Sequence, residues 1–482
     1  MGSTSSSKQL QEISRTKTVA TVGPASSTVA VLSELIVAGV NVFRLNMAHG
    51  TRENHETAIS RIREASENAD MPVGILIDLA GPKIRLGQLF EDPLTVENGQ
   101  DVTFVRGNES SSKFELTCTY ESLLDELKVG DAVVLADGLI RLTVSELDQD
   151  KATCKVVDGG TFRSRQGVNL PATNLSIPAL GEKDIDNAKW ATTQDVQFVS
   201  LSFVRNADEI KQLRNLLEEH NCNANIVAKI EKQEALDNLE EIVQATDAIM
   251  VARGDLGVEI AIEKTPLAQK QIIKVCSTYR KPVIVATQML ESMHHSKQPT
   301  RAEASDVANA ILDGADACML SGETAIGEYP LDAVGMMNRI MLETESILKG
   351  QDSHVTLLDD LPHNDVAESI VFGAAQIAKR LESKLVVIAS STGETSRLKS
   401  KQRDYIPTLC LTDDDQVAKK LSLYWGVIPV VVPNLSDQDA LQTFISDWAK
   451  FKRVADSGDS VVVVTDTEMM PGVHDAILVS RI

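Results

Sequence analysis

The sequence predicts an α/β protein in which a (β/α)8 TIM barrel carries an inserted small β-barrel lid domain and precedes a C-terminal doubly wound α/β domain. Three observations predict this fold. Short apolar runs alternate with amphipathic stretches between residues 16 and 348. Closely spaced strand-like segments interrupt this alternation after residue 82. A second alternating pattern begins beyond residue 350.

The barrel is predicted from eight apolar runs of strand length. They lie at 18–22, 40–45, 73–77, 196–201, 226–230, 248–252, 283–286 and 317–320. Helical patterns fill most of the gaps, at 29–37, 54–67, 207–219, 266–279, 302–312 and 331–348. Repeated strand–helix units favour a parallel sheet, and eight units suit a closed barrel. We therefore assign residues 15–82 and 171–345 to a catalytic barrel, after a disordered lead at 1–14 that lacks the apolar centre of a signal peptide.

Residues 83–170 have a different character and interrupt the barrel after its third strand. Strand-like runs at 102–105, 132–135 and 140–144 are separated by turn signals such as Asp137-Gly138. Short strands at close spacing predict a small β domain. An insertion at the catalytic rim of a barrel is well placed to act as a mobile lid.

A second α/β pattern follows a polar stretch at 351–360 that is typical of a linker. Its strand-like runs lie at 385–389, 408–411, 427–432 and 460–464. Four or five strands with intervening helices predict a doubly wound domain. We assign residues 346–482 to this regulatory and oligomerisation domain.

The first strand of this domain leads into a segment rich in hydroxyl groups. Its residues are Ser391, Thr392, Gly393, Thr395 and Ser396. Hydroxyls, a glycine and free amides at a helix start suit a phosphate, so the segment is a candidate effector phosphate loop. A capped helix after a strand accounts for the same residues, and both interpretations stay open.

The composition excludes some classes of function. A formal net charge of −22 argues against nucleic-acid binding, which needs a basic surface. No apolar run approaches the roughly 18 residues of a membrane span, so no membrane partner is expected. The six cysteines are scattered without a CxxC pair. This pattern favours free thiols in a reducing cytoplasm over disulfides or a zinc site.

Charged or polar residues end most of the predicted barrel strands. In a (β/α)8 enzyme the active site lies where strands meet the following helices, so these residues are expected to converge on one mouth. A single strand-end charge is usually a structural ion pair, but six such endings on one rim predict a site. They are Arg44, Asn46 and His49 after strand two, Asp78 after strand three, Lys229 and Glu231 after strand five, Gly254 and Asp255 after strand six, Thr287 after strand seven, and Ser321 after strand eight.

The residue types suggest the chemistry of this rim. Glu231 and Asp255 offer hard oxygen ligands for Mg²⁺ or Mn²⁺. Arg44 can grip a phosphate with its fork of donors. Lys229 brings a compact charge to the place where negative charge develops on a transferring group. The sequence has no Walker A motif and no GxGxxG after a strand, so a nucleotide would be bound in another way.

Several motifs of the chain resemble those of the pyruvate kinase family. The motifs run in family order over nearly the whole chain, and the one at 250–257 is highly specific. They are RLNMAHG at 44–50, GPKIR at 81–85, GVNLP at 167–171, KIE at 229–231, MVARGDLG at 250–257, ATQMLESM at 286–293, PTRAEASDVAN at 299–309 and MLSGETA at 319–325. The family is similar in architecture, with a barrel, an inserted lid and a C-terminal domain, usually in a homotetramer.

The resemblance implies that the chain transfers the phosphoryl group of phosphoenolpyruvate to ADP, giving pyruvate and ATP in the last step of glycolysis, with a divalent metal. It implies that Arg44 binds phosphate and that Lys229 stabilises the transition state. It also implies that Glu231 and Asp255 bind the metal.

The resemblance extends to the rest of the site. Amides near Gly254 and Asp255, with the Thr287 hydroxyl, would seat the substrate carboxylate. Thr287 and Ser321 would lie near the point where the enolate is protonated. The residues that would face the nucleotide are Asn46, His49, Arg85 and Arg165, the last keeping a charge where the family commonly has a lysine pair.

The chain departs from the family at the site of a monovalent cation. Many members need K⁺, held by Asn and Ser of an RxNxSH motif and by an Asp-Thr pair on strand three. Here Asn46 and Asp78 remain, while Ala48 and Leu79 replace the two hydroxyl ligands. Lys83 stands where K⁺-dependent members typically have Glu. An ammonium can supply the missing charge, so the sequence predicts that K⁺ is not required and that Lys83 replaces it.

Two other functions stay open at this stage. Another metal-dependent barrel enzyme of pyruvate or phosphoenolpyruvate, such as an aldolase or lyase, would need no ADP, and the predicted lid and C-terminal domain argue against it. A catalytically silent regulatory protein of the same fold is expected to have lost Lys229, Glu231 or Asp255, and all three are present. The expected partners are phosphoenolpyruvate, ADP or ATP, a phosphorylated allosteric effector and further copies of the chain in a cytoplasmic homotetramer.

Overall fold

The structure is a computed structural model that describes residues 13–136, 138–171, 173, 176–349, 366–465 and 476–482. Most of the predicted lead (1–12), residue 137 of a predicted turn and the predicted linker at 351–360 lie outside the described residues. The described chain forms a closed barrel, a strand-rich insertion and a C-terminal α/β sheet.

Eight parallel strands close the barrel, and they are numbered here as barrel strands 1 to 8 in chain order. Their bounds are Lys17–Thr21, Val40–Asn46, Gly74–Asp78, Phe198–Leu201, Asn225–Ile230, Ala248–Ala252, Val283–Ala286 and Ala317–Leu320. Strand 8 pairs with strand 1 and so completes the ring. Strands 1, 3 and 6 are buried at every residue, as expected for parallel strands that are covered on both faces. The predicted (β/α)8 barrel is confirmed.

Helices connect the barrel strands and cover their outer faces. The α-helices are Val29–Ala38, Arg52–Ala69, Glu182–Thr192, Ala207–Glu219, Gln233–Asp237, Leu239–Ala245, Arg253–Glu259, Thr265–Thr278, Arg301–Leu312, Gly322–Ala325 and Pro330–Leu348, and the 3₁₀ helices are Pro24–Ser26, Ile262–Lys264 and Glu291–His294. Thr28, Thr51, Asn206 and Thr300 cap four of the α-helices by accepting a hydrogen bond from a first-turn amide. Among the described residues, none of the helices combines the length and the apolar character needed to cross a bilayer.

The insertion is a separate strand-rich domain with its own apolar core. Its strands are Leu94–Val96, Asp101–Val105, Glu115–Leu116, Ala132–Leu135, Ile140–Leu147, Lys151–Asp158, Gly160–Phe162 and Val168–Asn169, with a short helix at Leu123–Glu126. Six of these strands form one mixed sheet, and Leu94–Val96 pairs with Gly160–Phe162 in a second. The insertion leaves the barrel just after strand 3 and returns ahead of helix Glu182–Thr192, which precedes strand 4, so its two connections lie at the mouth.

The C-terminal sheet has four parallel strands and one antiparallel edge strand. Its strands are Leu385–Ala389, Thr408–Thr412, Val427–Val431, Ser460–Thr465 and Ala476–Arg481, and its helices are Val366–Arg380, Glu394–Ser400, Asp415–Leu421 and Gln438–Phe451. Alternate residues of the first strand enter two different apolar clusters, so both faces are covered as in a doubly wound fold.

The C-terminal domain contacts the amino ends of the barrel strands. Asp316, which precedes strand 8 and is fully buried, lies 2.5 Å from Lys401 Nζ and 2.9 Å from Arg403 Nη2. Lys17, at the start of strand 1, donates to the Val427 carbonyl at 2.8 Å. The carboxyl ends of the strands, where an active site is expected, therefore lie at the other end of the barrel, where the insertion is attached.

Candidate active site

A cluster of charged side chains lies at the carboxyl ends of the barrel strands. The ammonium of Lys229 is close enough to Arg44, Asp78, Glu231 and Asp255 for each of their charges to affect its pKa. These residues come from strands 2, 3, 5 and 6 or the turns that follow them. The structure thus brings together five side chains that the sequence placed at separate strand ends.

Arg44 and Asp78 form a close ion pair between neighbouring strands. Arg44 Nε and Nη2 lie 2.7 and 2.5 Å from Asp78 Oδ2, and Arg44 Nη1 donates to Thr21 Oγ1 at 3.0 Å. Ser200 donates to Asp78 Oδ1 at 2.5 Å. Burial raises the pKa of Asp78, but the charges of Lys229 and Arg44 and the hydrogen bonds outweigh it, so the pKa lies below its ordinary value. Asp78 therefore stays ionised and holds the guanidinium in place.

Lys229 is 11% exposed and surrounded by acceptors. Its Nζ lies 2.9 Å from Glu231 Oε1 and 3.5 Å from Asp78 Oδ1, and it donates to Ser202 Oγ at 2.8 Å. Burial lowers the pKa of Lys229, yet the two carboxylates raise it more, so the pKa lies above its ordinary value. The ammonium is therefore charged and fixed in position.

Glu231 is fully buried, and one of its oxygens has unused hydrogen-bonding capacity. Oε2 accepts from the Phe203 amide at 2.7 Å, whereas Oε1 lies 2.9 Å from the Lys229 ammonium, which leaves a lone pair of Oε1 for a further ligand. Burial raises the pKa of Glu231, the Asp255 charge adds to this, and Lys229 opposes it. A hard cation beside Oε1 would stabilise the ionised form, so these residues fit a divalent metal.

Asp255 lies in the first turn of helix Arg253–Glu259, which begins as strand 6 ends. Its side chain is 29% exposed, and its Oδ1 lies 3.7 Å from Lys83 Nζ. Gly254, one residue earlier, donates its amide to Thr287 Oγ1 at 2.8 Å. A methyl group at Gly254 would lie 3.4 Å from that hydroxyl, so the backbone of Gly254 and the Thr287 side chain are in close contact.

Thr287 follows strand 7 in a backbone conformation that is rare for a β-branched residue. Its φ is +69°, and that of Gln288 is +57°. The Thr287 hydroxyl donates to the Ala286 carbonyl at 2.7 Å, while Arg253 holds the Thr287 carbonyl at 2.8 Å. Strain of this kind persists only where surrounding contacts impose it, and it concentrates at functional sites.

Ser321 follows strand 8 and is joined to the turn after strand 7 through Glu323. The Ser321 amide donates to Glu323 Oε2 at 2.7 Å, and the Leu290 amide donates to Oε1 at 3.1 Å. The Ser321 hydroxyl is buried and has no hydrogen-bond partner within the described residues. That hydroxyl is thus available to a bound ligand.

The candidate nucleotide residues lie on two parts of the molecule. Asn46 ends strand 2, where its Oδ1 accepts from the Ala48 amide at 3.1 Å, and His49 is exposed in the following turn. Arg85 and Arg165 belong to the insertion, where Arg85 Nη1 donates to the Arg165 carbonyl at 3.1 Å. A ligand in contact with all four would bridge the insertion and the barrel.

A pocket at the junction of the insertion and the barrel contains a network that sequence reasoning missed. Lys232 Nζ and Asn169 Nδ2 donate to Glu259 Oε1 at 2.9 and 3.5 Å. The Glu259 side chain is 1% exposed, and burial raises its pKa while Lys232 opposes this. Glu259 ends the helix that carries Asp255. The network therefore connects the returning segment of the insertion to a candidate metal ligand.

Three further contacts to the charged cluster were also missed. Thr21, Ser200 and Ser202 provide hydroxyls from the ends of strands 1 and 4. The signal available was the Ser-Leu-Ser alternation at 200–202, in which both hydroxyls share one face of the chain. Small hydroxyl residues at a strand end are easily taken for ordinary strand residues.

The candidate effector loop is only partly open to a ligand. Ser391 and Thr392 are exposed. Thr395 and Ser396 are buried, and the Ser396 hydroxyl contacts Cys410 Sγ at 2.7 Å. Two of the predicted hydroxyls therefore face the interior of the C-terminal domain.

The closed barrel and the ammonium–carboxylate cluster at its mouth have the layout of a (β/α)8 enzyme whose active site lies at the carboxyl ends of the strands. Residues 13–334 match the family model for the pyruvate kinase barrel domain, and residues 368–480 match the model for the pyruvate kinase alpha/beta domain. The chain therefore belongs to the pyruvate kinase family.

Individual relatives agree with this assignment. The chain is 40% identical over 454 residues to a pyruvate kinase of Staphylococcus aureus strain MRSA252, covering 93% of this chain and 77% of the relative. It is 39% identical over the same length to the pyruvate kinase of strain USA300. The crystal structure of a pyruvate kinase from Cryptosporidium parvum superposes with a TM-score of 0.92 at 34% identity, covering 100% of this chain and 99% of that one.

Family membership confirms the main functional prediction. Pyruvate kinases use phosphoenolpyruvate and ADP, and the family generally uses Mg²⁺. The assignment of a phosphotransferase therefore rests on the whole chain and not on one motif.

Proposed function

We propose that this chain makes pyruvate and ATP at the mouth of the barrel, with Lys229 and Arg44 neutralising the transferring phosphoryl group. The observation that carries the proposal is the setting of Lys229, whose side chain is 11% exposed and whose ammonium contacts Glu231, Asp78 and Ser202. A charge that is already oriented and partly desolvated stabilises developing negative charge without reorganisation. Phosphoryl transfer depends mostly on such positioning and neutralisation.

The substrate would be oriented by groups on strands 6 to 8. The amides near Gly254 and Asp255 and the Thr287 hydroxyl would seat the carboxylate of phosphoenolpyruvate. Loss of the phosphoryl group leaves an enolate, which must gain a proton at carbon. The hydroxyls of Thr287 and Ser321 are proposed to position the water or hydroxyl that delivers it, and the unpartnered Ser321 Oγ supports this role.

Glu231 and Asp255 are the residues that would hold Mg²⁺ or Mn²⁺. A bound divalent ion supplies charge neutralisation and polarises the oxygens of the substrate. Two observations support this assignment. Glu231 Oε1 is buried and keeps lone pairs for a ligand, and the partly exposed Asp255 is close enough for its charge to raise the pKa of Glu231.

For ADP, we assign Asn46, His49, Arg85 and Arg165 as nucleotide contacts. Arg85 and Arg165 lie on the insertion, so the insertion would act as a lid that closes on the nucleotide and excludes water.

K⁺ is proposed not to be required. Lys83 would supply the positive charge near Asn46 and Asp78, since Ala48 and Leu79 provide no hydroxyl ligand. The support is the Lys83 ammonium within 3.7 Å of Asp255 Oδ1 at the mouth.

The remaining proposals concern organisation. We assign residues 15–82 and 171–345 to the barrel, 83–170 to the lid and 346–482 to a C-terminal domain that mediates formation of a homotetramer. A phosphorylated effector would bind the loop of Ser391, Thr392, Gly393, Thr395 and Ser396. Six free cysteines, five of them buried, support a reducing cytoplasmic location.

One measurement separates this function from its alternatives. Pyruvate formation from phosphoenolpyruvate is followed with purified chain and Mg²⁺, with and without ADP, beside a Lys229→Met variant. Pyruvate that appears only with ADP, and not in the variant, supports the proposal. Pyruvate without ADP would indicate a lyase or aldolase, and no pyruvate under either condition would indicate a silent regulatory protein.

A further inference from the structure

A second group of metal-ligating side chains lies behind the turns that follow strands 7 and 8. Glu291 and His294 belong to the 3₁₀ helix Glu291–His294, and Glu323 belongs to the short helix Gly322–Ala325. We propose that these three side chains bind one divalent transition-metal ion of the Zn²⁺ class, at a site distinct from Glu231 and Asp255.

The ligand atoms are already close to a coordinating arrangement. His294 Nε2 lies 3.8 Å from Glu291 Oε1 and 3.9 Å from Glu323 Oε2, and all three ligand atoms lie within 4.8 Å of one another. Two atoms that are each about 2.1 Å from one ion are at most about 4.2 Å apart. The Glu291 side chain is 59% exposed, so rotation about its own bonds can bring it into range.

An unexplained buried nitrogen points to a ligand at this place. His294 Nε2 is inaccessible to solvent and has no hydrogen-bond partner in the described chain, although it faces two carboxylates. The imidazole packs directly against Gly322, where an added methyl would lie 2.2 Å from His294 Cε1 and 2.3 Å from Nε2, so the glycine leaves the space that the ring occupies. A buried polar atom without a partner is costly, and a bound cation would remove that cost.

Glu323 supplies an anchored ligand. Its side chain is 1% exposed, and it accepts amide hydrogen bonds from Ser321 and Leu290, as metal-binding carboxylates often do. Among the described residues no lysine or arginine pairs with it, so a cation bound beside it would compensate its charge.

The donor set selects the class of ion. One imidazole and two carboxylates suit Zn²⁺, with a water in the fourth position, whereas Mg²⁺ prefers oxygen ligands alone. A bound ion would link the turn after strand 7, which carries Thr287, to the turn after strand 8, which carries Ser321. It is expected to stabilise both turns.

The test uses the full chain carrying Glu231→Gln, which removes the proposed catalytic metal site from the measurement. Zn²⁺ binding is followed by titration calorimetry after treatment with a chelator, and Co²⁺ is used as a spectroscopic probe of the ligand set. We expect one ion per chain and the intense visible absorption of low-coordinate Co²⁺. Adding His294→Gln is expected to weaken binding by more than about tenfold.

His295→Gln is the matched control, because the neighbouring His295 is 81% exposed and pairs with Glu328. It is expected to leave Zn²⁺ binding unchanged. Glu291→Gln, at an exposed position, gives a second variant if His294→Gln does not fold, and it is also expected to weaken binding. The proposal is overturned if the Glu231→Gln chain binds no Zn²⁺ or if the affinity survives both ligand substitutions. Because no step of the test measures turnover, failure here leaves the proposed enzymatic function untouched.

Discussion

Lys83 and Asp255 face each other across the mouth of the barrel, with Lys83 Nζ 3.7 Å from Asp255 Oδ1. Lys83 lies where the insertion leaves the barrel, and Asp255 lies on the helix after strand 6. The two side chains are 33% and 29% exposed, so an ion pair here contributes little to stability. It does place a positive charge beside a candidate metal ligand.

Replacement of this charge tests the predicted independence from K⁺. The unmodified chain should turn over at similar rates in potassium buffer and in tetramethylammonium buffer. Lys83→Glu should lower kcat by about 10²-fold, because one preorganised charge is lost at the mouth. Lys128→Glu, an exposed change in the insertion, serves as the control. A large drop of the unmodified enzyme in tetramethylammonium buffer would show that an alkali ion is needed after all.

The hydroxyl of Ser202 is predicted to orient the ammonium of Lys229. Ser202→Ala removes the 2.8 Å hydrogen bond to Nζ but leaves the carboxylate contacts. Hydrogen bonds to charged groups contribute about 1.5–3 kcal/mol, so kcat should fall by about 10- to 100-fold and less than in Lys229→Met. Steady-state assays of both variants check the order. Equal losses in the two variants, or no loss in Ser202→Ala, would contradict an orienting role.

Much of this architecture could be predicted because periodicity and strand endings are local signals. All eight barrel strands were located from apolar runs, and charged residues such as Lys229 and Asp255 mark the mouth because a core does not accept them unpaired. Strand endings that carry small hydroxyls, as at Ser202, give no such signal. A serine at that position is equally compatible with a buried strand.

Other features depend on contacts that no local pattern encodes. The network of Asn169, Lys232 and Glu259 joins three distant segments, and each residue alone is an ordinary polar residue at an element end. Thr287 has a positive φ. A positive φ is usually predicted from a glycine in the sequence, and this position has none. Ser396 was expected in a phosphate loop, but it lies in helix Glu394–Ser400, where its side chain is buried against Cys410.

The buried pair of Lys232 and Glu259 is predicted to stabilise the junction between the insertion and the barrel. Glu259→Gln leaves Lys232, whose side chain is 12% exposed, without its anion, which should lower the free energy of unfolding by about 3–5 kcal/mol. Lys232→Met in the same chain removes the orphaned charge and should recover most of the loss. Thermal melting of both single variants and the double variant measures this coupling. Additive losses would mean that the two side chains act independently.

The strained backbone at Thr287 is predicted to serve catalysis and not stability. Thr287→Gly removes the hydroxyl that accepts from Gly254 and should lower kcat by about 10²-fold. Its melting temperature should change little, because relief of about 1–3 kcal/mol of strain offsets two hydrogen bonds of about 1 kcal/mol each. Thr287→Ser, which keeps the hydroxyl, should retain most of the activity. A Thr287→Gly chain that melts much earlier would point to a structural role instead.

At the opposite end of the barrel, Lys17 is buried and donates a hydrogen bond to the Val427 carbonyl. Burial lowers the pKa of Lys17 to about 8, and Glu345 only partly opposes this. An unfolded lysine has a pKa of about 10.4, so between these values the unfolded chain binds more protons than the folded chain. The free energy of unfolding should therefore rise with pH across this window.

Below the folded pKa, the cost of burying the charged ammonium is fully present. Lys17→Met should abolish the contribution of Lys17 to the rise in the free energy of unfolding, which is up to roughly 3 kcal/mol. The substitution also removes the hydrogen bond to the Val427 carbonyl, and this loss does not depend on pH. Denaturation midpoints measured from pH 7 to 10.5 for the unmodified chain, Lys17→Met and the exposed control Lys189→Met reveal the difference. Parallel pH profiles in all three chains would mean that Lys17 keeps its ordinary pKa in the folded chain. The pH dependence of stability would then come from other groups.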